Sequence, residues 1–269
     1  MDAVGAGTNG VVLPLSVANK SYVAKIYLTS IEEIREQSVE NDFLIMGRAV
    51  VDPHLAQLAA VSYDRGITVM ETMPGTDFPH TSMEQVAGIT DQQLAEALVS
   101  MRRAHDVGID FDYKRAENFK YDRQAGFGFI DLEMARPATY NKYQSYAEKV
   151  MRFGDLLAGM GGSEFKWDEP ASYTALSQET EVRLGVLERY RSICAAQPDQ
   201  EHYGEALASL DKSMQSARDF MRSVATPGWV EQEIAQRRVS EESLRAQREE
   251  LASRVVERDG YMRIPGEIM

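Results

Sequence analysis

Apolar and polar positions in the first part of the chain follow the pattern of short strands. The letters VVL after a glycine-rich segment, and the stretch SYVAKIYL, predict an opening hairpin over residues 4–29. The stretches LAQLAAVSY and GITVME, separated by the turn residues Asp64, Arg65 and Gly66, predict two further strands. The N-terminal part is therefore expected to be rich in strands.

One helix is expected between these two pairs of strands. Ser30, followed by an isoleucine and two glutamates, has the pattern of an N-cap with an acidic first turn. Ile34, Phe43 and Leu44 continue an apolar stripe to about Arg48. The stripe predicts that the helix packs its Phe43 face against the rest of the protein.

Past Pro74 and Gly75 the pattern becomes mostly helical. The stretch TDQQLAEALVSMRRAHDVG has Leu94, Leu98 and Met101 at helical spacing. A charged loop, IDFDYKRAEN, follows, and FKYD and FGFIDL then predict a second hairpin. The chain is therefore expected to have an α+β fold, strand-rich first and helical afterwards.

Composition and charge indicate which partners the protein is not expected to bind and in which cell compartment it is expected. The chain has 269 residues and a net charge of −13, with 29 Lys and Arg against 42 Asp and Glu, so nucleic-acid binding is not expected. No stretch is apolar enough to predict a membrane span. The first residues, MDAVGAGTNG, lack a secretory pattern, and the single Cys194 is expected in the core. These features predict a cytoplasmic compartment, which includes the cytoplasm of a host cell for a delivered protein.

A glycine-rich segment and a lysine carry the first candidate chemistry. Gly5, Gly7 and Gly10 with Val12 spell G-x-G-x-x-G-x-V between two predicted strands. Glycines let backbone amides approach a polyphosphate closely, and the valine can cover a base. A dinucleotide-binding fold needs a helix directly after the glycines, whereas this chain continues as a strand to Lys25. We therefore expect Lys25 to hold the phosphates of a nucleotide.

Lys25 needs an anion that fixes its position, and the helix that follows carries several glutamates. Glu40 is the expected partner because Phe43 and Leu44 follow it at the spacing of an apolar face, whereas the earliest acids lie in the solvated first turn. Glu36, one helical turn before Glu40, stays open as an alternative.

In the order of its motifs the chain resembles the protein-kinase family. DPHLAQLAAV resembles the segment after the family's regulatory helix, VMETMPGTD its hinge, AHDVGIDFDYKRAEN its catalytic loop and GFGFIDLEMA its metal-binding motif. The resemblance covers about Gly5 to Ala135, and FGDLLAGM is a fainter likeness to the core helix of the large lobe. It implies a bilobal kinase-like fold with an N-terminal lobe over residues 1–73, a larger helical lobe over 74–228, and a charged helix and tail over 229–269.

The same resemblance implies a site for ATP and Mg²⁺, with Mn²⁺ as an alternative metal. Asp112 would orient the acceptor hydroxyl and take its proton, and Lys114 would steady the γ-phosphate. Asn118 and Asp131 would hold the metal. The implied catalytic set is Asp112, Lys114, Lys25 and Glu40. The implied nucleotide contacts are Gly5, Gly7, Gly10, Val12, Ala24, Lys25, the gatekeeper Met70, and the backbones of Glu71 and Met73.

Several features depart from the family pattern. Asp110 stands where the family usually has His or Tyr, and the interval from Asp112 to Asn118 is one residue longer than usual. Asp110 is therefore the alternative base. The letters DLE replace D-F-G, no A-P-E is found at a suitable distance, and about a dozen residues lead to the next helix. Regulation by phosphorylation of an activation segment is therefore not expected.

The leading hypothesis is a compact Ser/Thr protein kinase of the bacterial, phage or effector type, which Lys114 favours. Its partner would be a protein substrate, from the host if the kinase is delivered. The short segment after Asp131 and the negative charge favour a small-molecule kinase of the aminoglycoside or choline type. A pseudokinase or scaffold, and a nucleotidyltransferase on the same fold, are further alternatives.

A charged C-terminal helix is expected from Trp229 to Arg258. Its apolar positions follow a weak heptad pattern, which indicates packing on its own domain or binding to a partner or a second copy. These positions are Val230, Ile234, Leu244, Leu251 and Val255.

Overall fold

The computed structural model describes residues 5–7, 10–29, 31–111, 113–134, 146–197 and 203–256. The predicted N-cap Ser30 and the predicted base Asp112 lie outside the described residues. The predicted class, α+β with a small strand-rich N-terminal part and a larger helical C-terminal part, is confirmed.

An antiparallel sheet of five strands forms the N-terminal part, in the order β1-β2-β3-β5-β4. Its members include the opening hairpin and the second strand pair expected from the sequence. A single helix, α1 (Glu32–Ala49), lies between β3 and β4 in the chain. The strands are β1 (Gly5–Gly7), β2 (Gly10–Val17), β3 (Lys20–Tyr27), β4 (Leu58–Ser62) and β5 (Ile67–Glu71).

The buried face of α1 differs from the predicted one. Ile34, Phe43 and Leu44 are all exposed, so the predicted apolar stripe is wrong. The buried residues are spaced three, three, one and three positions apart, which is a helical face that includes a carboxylate. They are Val39, Asp42, Ile45, Met46 and Ala49.

Two smaller sheets follow the first one. The predicted second hairpin is confirmed as β8 (Phe119–Asp122) with β9 (Gly126–Phe129), and β6 (Thr76–Asp77) pairs with β8. A separate pair joins β7 (Ile109–Phe111) to β10 (Leu132–Met134). The strands β6, β7 and β10 were not expected, because segments of two or three residues carry too little alternation to be recognised.

Helices make up the rest of the chain. Thr90 caps α3 in a reciprocal arrangement with Gln93, and the predicted stripe of Leu94, Leu98 and Met101 is buried as expected. Cys194 is also buried, which confirms the expected core position and raises the pKa of its thiol to about 12. The helices are α2 (Met83–Ala87), α3 (Asp91–Asp106), α4 (Tyr146–Ala158), α5 (Pro170–Ala195), α6 (Gly204–Val224) and α7 (Trp229–Val256).

A cluster of aromatic rings supports the β8–β9 hairpin. Phe153 of α4 lies with its ring centroid 5.3 Å from that of Phe127 and 6.4 Å from that of Phe119. Phe78 lies 5.7 Å from each of the same two rings. Rings packed edge to face or tilted at these distances restrict one another's orientation, so the hairpin packs on a defined apolar cluster.

The chain divides into two compact units. The first comprises Met1–Ser163 and Gln178–Arg218, and the second comprises Glu164–Ser177 and Asp219–Met269. The division into segments 1–73, 74–228 and 229–269 stays a prediction.

The second unit has its own aromatic contacts but little cover for its long helix. The Tyr173 ring lies 5.1 Å from that of Phe165 and 6.1 Å from that of Trp229. In α7, Ile234 is buried, whereas every residue from 235 to 251 is exposed. A partner for this helix stays a prediction. Across the described ranges, no helix is both long and apolar enough to cross a membrane.

Candidate active site

Lys25 lies in the middle strand of the five-stranded sheet and shares one face with Val12 and Thr68. The pairing of the strands sets Lys25 directly opposite Val12 on β2 and opposite Thr68 on β5. Residues directly opposite each other in an antiparallel sheet project to the same face. The sequence-predicted residues Val12 and Lys25 are therefore brought together.

The same strand geometry corrects the prediction for Ala24. Successive residues of a strand project to opposite faces, so Ala24 does not share the face of Lys25. Val23, two residues before Lys25, does share it, and it pairs directly with the predicted gatekeeper Met70. Val23 therefore replaces Ala24 among the candidate nucleotide contacts.

The Lys25 ammonium lies between two carboxylates that come from distant parts of the chain. Its Nζ is 3.6 Å from Oδ1 of Asp42 on α1 and 3.9 Å from Oδ1 of Asp131. The Asp42 side chain is 10% exposed and that of Asp131 is 51% exposed, so the first anion is enclosed and the second is open to solvent. Asp42 can therefore hold the lysine while Asp131 stays accessible to a ligand.

Tyr27 fixes the Asp42 carboxylate. Its hydroxyl donates a hydrogen bond of 2.6 Å to Oδ2 of Asp42, and its ring centroid lies 5.1 Å from the Lys25 ammonium. Burial, and then the neighbouring Asp42 charge, raise the pKa of the Tyr27 hydroxyl, which keeps that hydroxyl a donor. A buried carboxylate is stable only when it is paired, and here Lys25 and Tyr27 together provide the pairing.

Glu40 and Glu36 are not the partners of Lys25. Both side chains are exposed on α1, whereas Asp42 lies on the buried face of that helix. Two residues correspond to about 200° around a helix, so Glu40 and Asp42 project in nearly opposite directions. The prediction of Glu40 is therefore wrong, because it rested on the Phe43 face that the structure shows to be exposed.

The β8–β9 hairpin brings Asn118 beside Asp131. Phe119 pairs with Phe129 in the register of the hairpin, and the Asn118 carbonyl accepts a 2.9 Å hydrogen bond from the N–H of Ile130. Asn118 is buried, 8% exposed. The backbones of the two predicted metal ligands therefore lie close together at the base of one hairpin.

Asp131 has an unusual backbone conformation. Its φ is +54°, in the left-handed region that residues with a side chain adopt only rarely. Such a conformation costs free energy and persists where the surrounding structure holds it, often at functional sites. Here the hairpin holds the residue before Asp131 and the β7–β10 pair holds the residue after it, Leu132.

The glycine motif forms the first hairpin of the sheet. Gly5 pairs with Val12 and Gly7 with Gly10. A Cβ on Gly10 would lie 2.3 Å from the Ile26 carbonyl oxygen, so no larger residue fits there without moving β2 away from β3. The three glycines therefore lie on β1 and β2, and β2 pairs directly with the strand that carries Lys25.

The predicted hinge follows β5 directly. The N–H of Glu71 donates to the Gln57 carbonyl at 2.9 Å, so this amide belongs to the sheet. Met73 lies past the end of the strand, and its N–H has no acceptor among the residues that the structure describes. The Met73 side chain packs on β9, since a Cβ on Gly128 would lie 2.7 Å from its Cε. The hinge therefore has a backbone donor available to a ligand.

The predicted catalytic loop is described on both sides of Asp112. Lys114 is exposed, as expected for a residue that meets a ligand. Asp110, the alternative base, forms an ion pair with the buried Lys149, and its side chain is 13% exposed. The carboxylate of Asp110 is therefore already engaged within the protein.

Sequence reasoning missed Asp42, Tyr27, Val23 and Lys149. A signal for Asp42 exists, because Val39, Met46 and Ala49 are spaced so that Asp42 falls within their stripe. Val23 follows from strand alternation alone. Lys149 has a similar signal, because Tyr146, Phe153 and Leu157 are spaced so that Lys149 falls within their stripe.

Comparison with known proteins adds no relative. No protein-family model matches the chain, and no curated protein matches it. Within the described residues, no group of three or more His, Cys, Asp and Glu side chains is arranged to hold a metal ion. A metal at Asn118 and Asp131 would use one amide and one carboxylate.

Proposed function

We propose that the chain is a compact, protein-kinase-like phosphotransferase that moves the γ-phosphate of ATP to a Ser or Thr hydroxyl of a protein. One observation carries the proposal. The Lys25 ammonium lies 3.6 Å from the Asp42 carboxylate and 3.9 Å from that of Asp131. A strand lysine, a helix carboxylate and a carboxylate at the base of a hairpin are thereby joined at one point.

Phosphoryl transfer needs positioning and charge neutralisation more than covalent chemistry. Asp42 and Tyr27 fix the Lys25 ammonium from the buried side, so its charge faces the phosphates. Val12, Val23 and Met70 give the same sheet face an apolar surface on which a base can lie. The N–H of Met73, which has no acceptor within the described part of the chain, can then donate a hydrogen bond to the edge of that base.

The residues at the base of the hairpin fit Mg²⁺. Asn118 offers an amide oxygen and Asp131 a half-exposed carboxylate, and Mg²⁺ prefers oxygen ligands of this kind, with Mn²⁺ as an alternative. When bound, the metal would neutralise charge on the phosphate oxygens. Asn118 and Asp131 would hold it against the triphosphate.

The acceptor side of the site depends on the catalytic loop. Asp112 is proposed to orient the acceptor hydroxyl and take its proton, and Lys114 to contact the transferred phosphate. The exposure of Lys114 supports this role. We also propose a cytoplasmic location, in the producing cell or in a host after delivery, because ATP and magnesium are available there. The exposed part of α7 is proposed to contact a partner or a second copy.

A second candidate is transfer to a small-molecule hydroxyl of the aminoglycoside or choline type. Only eleven residues separate the end of β10 at Met134 from the start of α4 at Tyr146. Such a short segment provides little surface for a peptide acceptor, which favours a smaller one.

Intact-mass spectrometry after incubation with Mg-ATP and a generic protein substrate tests the proposal. We expect phosphoryl mass on protein with the wild type and none with Asp131→Ala. Asp64→Ala, an exposed carboxylate in the turn after β4, is the matched control and should behave as the wild type. ATP consumption that requires an added aminoglycoside or choline would favour the second candidate. A nucleotidyl mass would indicate nucleotide transfer, and bound nucleotide without any transfer would indicate a pseudokinase.

A further inference from the structure

Lys149 on α4 is a buried lysine that the proposed chemistry does not use. The residue is 2% exposed. Its ammonium donates a 3.1 Å hydrogen bond to the Ile109 carbonyl and forms an ion pair with the Asp110 carboxylate. It also lies 5.4 Å from the ring centroid of Phe111. One ammonium therefore contacts three consecutive residues of β7.

The strand β7 leads directly to the predicted catalytic loop. The Phe111 carbonyl accepts a 3.1 Å hydrogen bond from the N–H of Tyr113, and Asp112 is the residue between these two in the sequence. Tyr113 is fixed as well, with its ring centroid 5.7 Å from that of Phe111 and 5.4 Å from that of Phe119. Whatever holds β7 therefore holds both neighbours of the predicted base.

The same strand is paired with the segment that follows the metal ligand. Phe111 pairs with Leu132 and Ile109 with Met134, and Leu132 comes directly after Asp131. The strand β7 is therefore tied by its pairing to the segment that follows the predicted metal ligand.

An ion pair at this depth is a poor source of stability. Removing two charges from water costs free energy that their mutual attraction often does not recover. Replacing such a pair with apolar side chains of similar volume frequently leaves the protein as stable as before or more stable. Burial lowers the pKa of Lys149, which shows the same cost. A buried ammonium needs its partners, so the pair favours the placement of β7 in which Ile109 and Asp110 contact Lys149.

We propose that Lys149 is a positioning residue that anchors β7 to α4 and so holds Phe111 and Tyr113, the neighbours of the proposed base in the chain, against the segment that follows Asp131, with Asp110 serving as its partner and not as the base. This inference rests on the proposed function. Under this inference Asp112 is the base and Asp110 is the ion-pair partner of Lys149.

The test compares Lys149→Met, which keeps the length of the side chain and removes its charge, with Lys149→Arg. The matched control is Arg152→Met, which removes an exposed cation from its pair with the half-buried Glu148 on the same helix. Three quantities are measured: kcat, the affinity for Mg-ATP by calorimetry, and hydrogen exchange of peptides that cover residues 107–115.

For Lys149→Met we expect kcat to fall about 100-fold, since a displacement of about 1 Å is enough for such a loss. The affinity for Mg-ATP should stay within about threefold of the wild type, because Lys25 and Asp42 are untouched. Exchange in residues 107–115 should rise, and Lys149→Arg should restore most of kcat. Arg152→Met should match the wild type in all three quantities.

Wild-type kcat and unchanged exchange in Lys149→Met would overturn the inference. So would an equal loss of nucleotide affinity and kcat, which indicates general unfolding. If Lys149→Met does not fold, Asp110→Asn, which removes the partner's charge without changing its size, is measured in the same way and must show raised exchange. If the wild type transfers no phosphate, the proposed function fails, and the exchange measurement still decides whether Lys149 anchors β7.

Discussion

Asp42, and not Glu40, is the α1 residue that pairs with Lys25. The Asp42 carboxylate lies 3.6 Å from the Lys25 ammonium and accepts a hydrogen bond from Tyr27, whereas Glu40 is exposed on the far side of the helix. The effect of each of these two acids on catalysis can be measured by substituting it.

We expect Asp42→Asn to lower kcat/KM for ATP by about 100-fold, because the Lys25 ammonium loses the charge that fixes it. Glu40→Gln should leave kcat/KM within about twofold of the wild type, as is usual for an exposed side chain. Steady-state kinetics with varied ATP checks both variants. A larger effect of Glu40→Gln would mean that α1 is rotated in the working enzyme.

Asp112→Asn should lower kcat by about 10²–10⁴-fold while leaving the affinity for Mg-ATP unchanged, because a general base acts on the acceptor only. It should also flatten the acidic limb of the pH–rate profile. Asp110→Asn should reduce kcat without changing the shape of that profile, since Asp110 is engaged with Lys149. Loss of the acidic limb in Asp110→Asn instead would identify Asp110 as the base.

Val23→Phe should weaken nucleotide binding about tenfold or more, because the added ring projects from the sheet face that carries Lys25. Ala24→Val enlarges the neighbouring residue on the other face and should leave binding within about twofold of the wild type. Calorimetry with Mg-ATP measures both affinities, and thermal unfolding of each variant shows that the sheet is intact. Equal losses in the two variants would contradict the assignment of the face.

His105 should make the stability depend on pH. Burial, and then the nearby Lys149 charge, lower the pKa of His105 below its usual 6.5. Below about pH 6.5 the unfolded chain binds a proton at His105 more readily than the folded chain does. The contribution of His105 to stability therefore falls as the pH decreases below that value and does not change above it. His105→Gln should reduce this loss, which urea unfolding at about pH 7.5 and about pH 5 would measure. An identical loss in the variant would show that His105 contributes nothing.

Much of the strand pattern could be predicted from the sequence, because strands of four or more residues carry a recognisable pattern of apolar residues. The strands β2, β3, β4 and β5, with the hairpin β8–β9, were expected for this reason. The β7–β10 pair could not be predicted, since it joins two strands of three residues whose partners are distant in the chain.

The residues of the candidate site could be predicted where their position along a strand places them in the site. They were harder to predict where the buried face of a helix places them there. Lys25, Asn118 and Asp131 are brought together as expected, because each lies at or beside a strand. Glu40 failed because α1 has exposed apolar residues on the side that the pattern favoured, while a buried carboxylate lies on the opposite side. A pattern of apolar residues does not identify the buried face of a helix when the central residue of that face is a charged carboxylate, as Asp42 is here.

The hairpin that joins Asn118 to Asp131 also limits how this chain can change in length. Its two strands are in register from Phe119 with Phe129 to Asp122 with Gly126. Removing one residue from a single strand would move every side chain beyond the deletion to the opposite face of the sheet. Insertions or deletions that keep Asn118 beside Asp131 must therefore come in pairs, one residue from each strand, or be confined to the turn at residues 123–125.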